Sequence, residues 1–342
     1  MTGAEHGSAP RIWALLGAHA GDNNQVIALA EALELPFAIN QLQYNHLRHL
    51  GPRLLGKSLV SLTAQSRRAI LDDPPPDVTI SSGHRSVAVA RALRQRSGGR
   101  TRSIHVGFPR VSPRHFDLVI ATPQYPIADH PSLLRVTYAL TRAATFAPDA
   151  ADAAQLAQLP HPCALLIVGG PSLYWRVDSA RTVETITAML DEAHLQGGSV
   201  IVATSPRTPR KLRDRIAPLL QASNVPTILA GPGERPSYAS LLRAADSIRI
   251  TADSVSMVSD AIWTGKPVAL VPVGKSLLGS LGSAVMGAFQ PGRKIYPQDL
   301  RFFWRALEHV GVTDQLATPA ISTNDELRTM IERARPLIEP RP

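Results

Sequence analysis

Residues 251–268, TADSVSMVSDAIWTGKPV, carry the side chains that could hold a diphosphate and a ribose. The stretch reads as a strand end, a polar turn, a helix, a glycine stop and a second strand. Asp253 or Ser254 would cap the helix. The free backbone N–H groups of its first turn, helped by the helix dipole, suit an anion. Ser254 and Ser256 add hydroxyl donors. Asp260 lies four residues after Ser256, one turn on, where a carboxylate can accept hydrogen bonds from both hydroxyls of a ribose. Gly265 would stop the helix and Pro267 would open the next strand. A serine-rich first turn is also ordinary helix capping, so these residues alone leave both readings open.

Other loops end apolar runs in the same way. Gly17 and Gly21 belong to a glycine-containing turn after the first run, Arg11–Leu16, where backbone can approach a phosphate or an acceptor. This turn does not match GxGxxG, so a nicotinamide fingerprint is absent. Gly169, Gly170 and Ser172 follow the apolar run from Cys163 and could line a diphosphate, or form a plain tight turn. Ser205, Arg207 and Thr208 follow the next run. Arg207 either pairs with a phosphate or is a solvated arginine. Lys266, at the end of a helix, complements the dipole. A transfer reaction also needs a proton acceptor. His19 and His84 both fall in loops at strand ends, and Asp22 is a third candidate, with a competing role as helix cap. Surface or structural roles are open for each histidine. No His-x-x-x-His or Asp-x-Asp pair suggests a metal. No Gly-x-Ser-x-Gly elbow suggests a hydrolase.

Strands and helices must position these loops. Short apolar runs at 11–17, 36–42, 77–82, 103–107 and 117–121 alternate with helical patterns at 23–35 and after Gly83. Asp22 is placed to cap the first helix. A second series follows, with strands at 163–169, 198–204, 225–229, 246–251 and 267–272. Helices separate those strands at 179–195, 211–220, 238–245 and 254–264, and two more, at 297–310 and 323–334, close the chain. Alternation of this kind argues for parallel βαβ units. Between the two series, proline-bearing residues 143–162 read as a join, with a short helix at 150–159. The expected division is a disordered start at 1–10, an N-terminal Rossmann-like domain at 11–145, a linker at 146–162 and a C-terminal Rossmann-like domain at 163–335. The fold class is α/β, with two parallel sheets facing across a cleft.

The 342-residue chain is 44% apolar and 18% charged, which excludes a disordered protein. No apolar run is long enough to span a membrane. Met1–Pro10 lacks the basic start and apolar stretch of a secretory signal. Cys163 is the single cysteine and lies within an apolar run, so it reads as core and leaves no internal disulfide. A cytoplasmic chain is expected. The net charge is +9, and all but five of the 36 basic residues are arginine. Such a balance suits an anionic small substrate or a membrane surface. Aromatics are only 5%, and no zinc-finger or RNP-like motif occurs, which argues against nucleic acid.

The loops after residues 17, 169 and 204, taken with 253–260, resemble the family named for a plant mitochondrial fission factor (ELM-type). The likeness runs over about residues 11–335. The 251–268 stretch also resembles the donor-binding region of glycosyltransferases of the GT-B type, which have two Rossmann-like domains. In that region an acidic residue follows the serine-containing turn; where Glu is usual, this chain has Asp260. The resemblance implies a metal-independent glycosyltransferase. A nucleotide diphosphate-sugar would bind the C-terminal domain as substrate, with no tightly bound cofactor. The N-terminal domain would take an acceptor, such as an envelope component, at the inner face of a membrane. Two alternatives remain. One is a nucleotide-sugar epimerase on the same fold. The other is a non-catalytic protein that recruits a protein partner.

Overall fold

The computed structural model describes residues 9–142, 149–281, 296 and 298–339. Its chain divides into two compact units. Unit 1 holds residues up to Leu140 together with those from Asn324 onward; unit 2 is Thr141–Thr323.

Unit 1 is built on six strands: β1 (Ile12–Leu16), β2 (Phe37–Gln41), β3 (Val78–Ser82), β4 (Arg102–Val106), β5 (Leu118–Ala121) and β6 (Leu133–Arg135). They form one parallel sheet in the order β2-β1-β3-β4-β5-β6. All five residues of β1 are buried, as are the four of β5. A parallel sheet covered on both faces needs such unbroken apolar strands. The helices are α1 (Ala20–Ala32), α2 (Pro52–Leu55), α3 (Ala64–Asp72) and α4 (Gly83–Arg96). Val87, Val89, Ala90 and Leu93 of α4 join Trp13, Leu15 and Val119 of the sheet in one core cluster.

Unit 2 repeats the architecture. Its main strands are β7 (Cys163–Val168), β9 (Ser199–Thr204), β10 (Thr227–Ala230), β11 (Ser247–Thr251) and β12 (Val268–Val271). They run parallel in the order β10-β9-β7-β11-β12. A short antiparallel ribbon pairs β8 (Trp175–Arg176) with β13 (Gly274–Lys275). The helices are α5 (Ala150–Leu156), α6 (Ser179–Gln196), α7 (Arg210–Gln221), α8 (Tyr238–Ala244), α9 (Val255–Ile262) and α10 (Leu300–His309). The Asp178 carboxylate caps α6 by accepting from the N–H groups of Ala180 and Arg181, and left-handed Gly197 ends it. Cys163 is buried in β7 as a free thiol, as its apolar surroundings suggest.

Several elements differ from the sequence reading. Helix α1 starts at Ala20, three residues before the expected Asn23, so Asp22 lies in its first turn and His19 takes the cap position. Asn23 turns its side chain back to close the turn after β1 instead. The short helix expected at 150–159 within the linker is present at 150–156, and it packs as part of unit 2. The buried Asp152 carboxylate there accepts from Ser237 N–H and Ser240 Oγ and pairs with Arg235. Helices α2 and α3 and strands β6, β8 and β13 have no counterpart in that reading. The expected disordered start falls mostly outside the described residues, as does the beginning of the linker.

The last helix, α11 (Thr323–Ala334), was expected in the C-terminal domain, but the chain from Asn324 onward belongs to unit 1. The Glu326 carboxylate accepts from Thr137 N–H at 2.6 Å and Tyr138 N–H at 2.9 Å. Arg333 donates to Pro131 O, and Met330 is fully buried. Removing the charged acceptor leaves two backbone donors unmet. Glu326→Ala is expected to lower the unfolding free energy by about 1–3 kcal/mol. Urea denaturation measures this; an unchanged midpoint would show that the carboxylate does not hold the helix.

Candidate functional site

The expected phosphate-binding loops of unit 2 meet at the carboxyl ends of β7, β9 and β11, where they bind one another. The Asp253 side chain is wholly buried. Its Oδ2 accepts from Gly170 N–H at 3.0 Å and from Arg207 Nη2 at 3.0 Å. Its Oδ1 accepts from Thr251 Oγ1 at 2.7 Å, and that hydroxyl oxygen accepts from Gly169 N–H. Arg207 Nη1 donates to Gly170 O, and Thr208 Oγ1 lies within hydrogen-bond reach of Val168 O and Gly169 O. A Cβ on Gly169 would lie 2.1 Å from Asp253 Oδ1, and one on Gly170 would lie 2.1 Å from Arg207 O. Glycine is therefore required at both positions by close approach. Gly169, Gly170, Arg207 and Thr208 are brought together as expected, but their polar groups serve the protein itself. Ser172 is also engaged, closing the turn before β8 against Trp175.

Helix α9 follows Asp253. Ser254 occupies its cap position without a side-chain capping bond, and Ser256 lies in its first turn, half-buried. Asp260, expected to face a ribose, accepts from the hydroxyls of Thr141 and Tyr238. Burial raises its carboxyl from 3.8 to about 6, against the downward pull of those two bonds.

A cavity of about 440 Å³ opens beyond β7, β9 and β10, wholly within unit 2. Ser205, Tyr238 and Met257 line it together with the loop from Gly231 to Ser237. Ser205 is the one expected binding residue in its wall. Tyr238, Met257 and the Gly231–Ser237 loop were missed by the sequence reading. The sole signal for them there was the PGERPS run, whose prolines and glycine mark a loop at a strand end.

Unit 1 brings the candidate proton acceptors to neighbouring strand ends. His19 and Asp22 follow β1, and His84 follows β3, the strand beside it. Burial raises the Asp22 carboxyl, while His19 and Arg85 draw it down. Burial lowers His84 to about 4, assisted by Arg110, Arg85 and His19. A neutral imidazole and a carboxylate are both competent to take a proton. Gly17 does not present free backbone: its N–H donates to Asn23 Oδ1, and its carbonyl accepts from Asn23 and Gln41. Gly21 is exposed in the first turn of α1.

Residues 20–278 match the model of the mitochondrial fission ELM1 family. The chain belongs to that family. The mitochondrial fission protein ELM1 of Arabidopsis thaliana is 26% identical over 246 residues, which make up 63% of this chain and 55% of the plant protein. The match thus spans about half the length of that relative. Among solved structures, a UDP-GlcNAc 2-epimerase from Methanocaldococcus jannaschii aligns with a TM-score of 0.53. It is 12% identical, and the alignment covers 93% of this chain and 98% of that one. A UDP-glucosyltransferase from Polygonum tinctorium aligns with a TM-score of 0.52 at 10% identity, over 98% and 100% of the two chains. The fold of this ELM1-family chain is GT-B. Among the described residues, no helix is long and apolar enough to cross a membrane.

The Asp260 carboxyl makes stability depend on pH. Its pKa is higher folded than unfolded, so between about 4 and 6 the folded chain keeps a proton that the unfolded chain releases. Its contribution to stability is therefore largest below pH 4 and is lost as pH rises towards 6, by about 1–3 kcal/mol. Asp260→Asn is expected to flatten this part of the curve, as measured by urea unfolding from pH 4 to 7. Equal slopes in the two proteins would contradict it.

Proposed function

We propose that the chain is a glycosyltransferase that uses a nucleotide diphosphate-sugar. The cavity beyond β7, β9 and β10 carries this reading, because ligands of open parallel sheets bind outside the carboxyl ends of the strands. The nucleoside occupies the cavity, against Met257 and Tyr238. The diphosphate lies at the start of α9, near Ser254 and Ser256, where N–H donors stabilise the charge that develops on the leaving group. Asp260 acts through Tyr238 rather than touching the ribose. In the transfer, an acceptor hydroxyl attacks the anomeric carbon and the bond to the diphosphate breaks. The hydroxyl proton passes to a general base. The solved relatives by fold include both a UDP-glucosyltransferase and a UDP-GlcNAc 2-epimerase, so epimerisation is the second reading. Recruitment of a protein partner, suggested by the name of the plant relative, is the third.

Calorimetry against UDP-, GDP-, ADP- and CMP-sugars tests the proposal. One nucleotide sugar is expected to bind, and Met257→Trp, which fills the cavity, is expected to weaken it at least 10-fold, about 1.4 kcal/mol. No binding by any of the four would end both enzyme readings. NMR of the products separates transfer from epimerisation.

We also propose that unit 1 meets an anionic membrane surface, in keeping with an envelope acceptor. From residue 35 to residue 71 the chain has no Asp or Glu, while Arg48, Arg53, Lys57, Arg67 and Arg68 are basic. Within that stretch Leu54 is 79% exposed, and Leu50 and Val60 are exposed as well. Cationic residues beside bare leucines suit a surface that is anionic outside and apolar within. Vesicles of phosphatidylcholine with phosphatidylglycerol are expected to co-sediment the protein at low salt, and Leu54→Glu to reduce this several-fold. Equal sedimentation of both proteins would refute the contact.

A further inference from the structure

The sheet of unit 1 reverses its winding between β1 and β3: its strand order places β2 on one side of β1 and β3 on the other. In open parallel sheets the crevice at such a reversal is the ligand site. The loops after β1 and β3 flank it, and the loop after β4 is next in line. These loops carry His19 and Asp22, then His84 and Arg85, then Arg110.

Charge there is unbalanced. Arg85 Nε is buried with no hydrogen-bond partner among the described residues. Neither Arg85 nor Arg110 forms an ion pair there, although both act on His84 through space. His105, fully buried in β4, holds Ser81 Oγ at 3.0 Å with Nδ1 and leaves Nε2 unpartnered. The Asp22 carboxylate faces His19 and Arg85, and Tyr44 faces Arg85 as well. Gly83 is left-handed, with φ +72°, and a Cβ on it would lie 2.9 Å from Asp22 Oδ2. The first residue of α4 therefore approaches Asp22 only as glycine. Helices α1 and α4 both begin at this edge, and neither has a side-chain cap. Their N–H groups and dipoles add to the positive field. Burial first, then Arg110, Arg85 and His19, hold the His84 imidazole neutral.

We propose that this crevice binds a phosphate or diphosphate group, with Arg85 and Arg110 as its counter-ions and the start of α4 supplying N–H donors. The inference deepens the reading above, by making the acceptor a phosphorylated compound, and rests on it only for the acceptor role. The binding itself stands on unit 1 alone.

Inorganic pyrophosphate is the probe, titrated by calorimetry into the full chain. Binding that weakens with added salt is expected, and Arg85→Gln is expected to reduce affinity at least 10-fold, with partial rescue by Arg85→Lys. Arg110→Gly, at a left-handed position with φ +57° that glycine tolerates, provides a second variant should Arg85→Gln fail to fold. Pyrophosphate is also expected to raise the His84 titration, followed by NMR of its ring protons, because an adjacent anion favours the imidazolium. Absence of binding at 10 mM pyrophosphate (about 100-fold weaker than a typical metabolite site), or equal affinity in Arg85→Gln, would overturn the proposal. Met257→Trp is expected to leave pyrophosphate affinity at this crevice unchanged while losing the nucleotide sugar, so the two sites fail separately. If Arg85→Gln also loosens binding to phosphatidylcholine vesicles carrying phosphatidic acid, the phosphate is that of a lipid headgroup. If only the pyrophosphate titration responds, it is that of a soluble ester.

Discussion

The buried Asp253 carboxylate fixes the edge of unit 2 at the carboxyl ends of its strands. An ionised side chain with no exposure is costly unless it is paired and fully hydrogen-bonded. It meets that condition through the Gly170 N–H, the Thr251 hydroxyl and the Arg207 guanidinium. These partners come from the ends of three adjacent strands, β7, β11 and β9. One carboxylate thus holds three loops at a fixed spacing, and the fit leaves no room for a side chain on Gly169 or Gly170. Losing Arg207 would leave that buried charge without its counter-ion, a cost of about 3–5 kcal/mol.

That arrangement gives the two units opposite characters at the corresponding place. In unit 2 the reversal in strand order falls between β7 and β11, and Asp253 with Arg207 fills the crevice from within. Space for a ligand remains to one side, beyond β7, β9 and β10, where Ser205, Tyr238 and Met257 form the walls. In unit 1 the equivalent crevice sets Arg85 beside the Asp22 carboxylate, and Arg85 Nε is buried with no hydrogen-bond partner among the described residues. The same topology therefore supplies one crevice satisfied by its own side chains and one that is not. Sheet order alone does not distinguish them; the difference lies in a few side chains.

The sequence shows the strands more clearly than the site. SVIVAT is buried throughout and CALLIV at all but Ala164, and a helix after each makes the parallel winding legible from local pattern. The site residues were recognisable as loop residues at strand ends, but not their partners. Asp253 looked like a helix cap, because its partners, Gly170 and Arg207, are 83 and 46 residues away. Asp260 looked free to meet a ribose, because Thr141 lies 119 residues earlier. Helix α11 looked like the end of the second half, and the Glu326 bonds to residues 137 and 138, with that of Arg333 to Pro131 O, assign it to the first. Each of these is a long-range hydrogen bond. Periodicity reports burial and helix or strand type, and carries no information about which distant donor a carboxylate will find.

Thr141 and Tyr238 give Asp260 a structural task that bears on the cavity. Thr141 is the first residue of unit 2, and Tyr238 begins α8 and lines the cavity. Asp260 on α9 accepts a hydroxyl hydrogen from each. While ionised it can accept from both, so the chain's entry into unit 2, the cavity wall and α9 are tied at one point. Once protonated, near pH 6, the carboxyl carries its own hydrogen and is a weaker acceptor, so the bonds from both hydroxyls weaken and one of them can reverse. A phenol or an alcohol can reverse only if another donor or acceptor is at hand. Protonation therefore stabilises the buried group itself while loosening the tie it makes. The pH that favours the fold at this residue and the pH that best orders the cavity wall lie on opposite sides of the Asp260 titration.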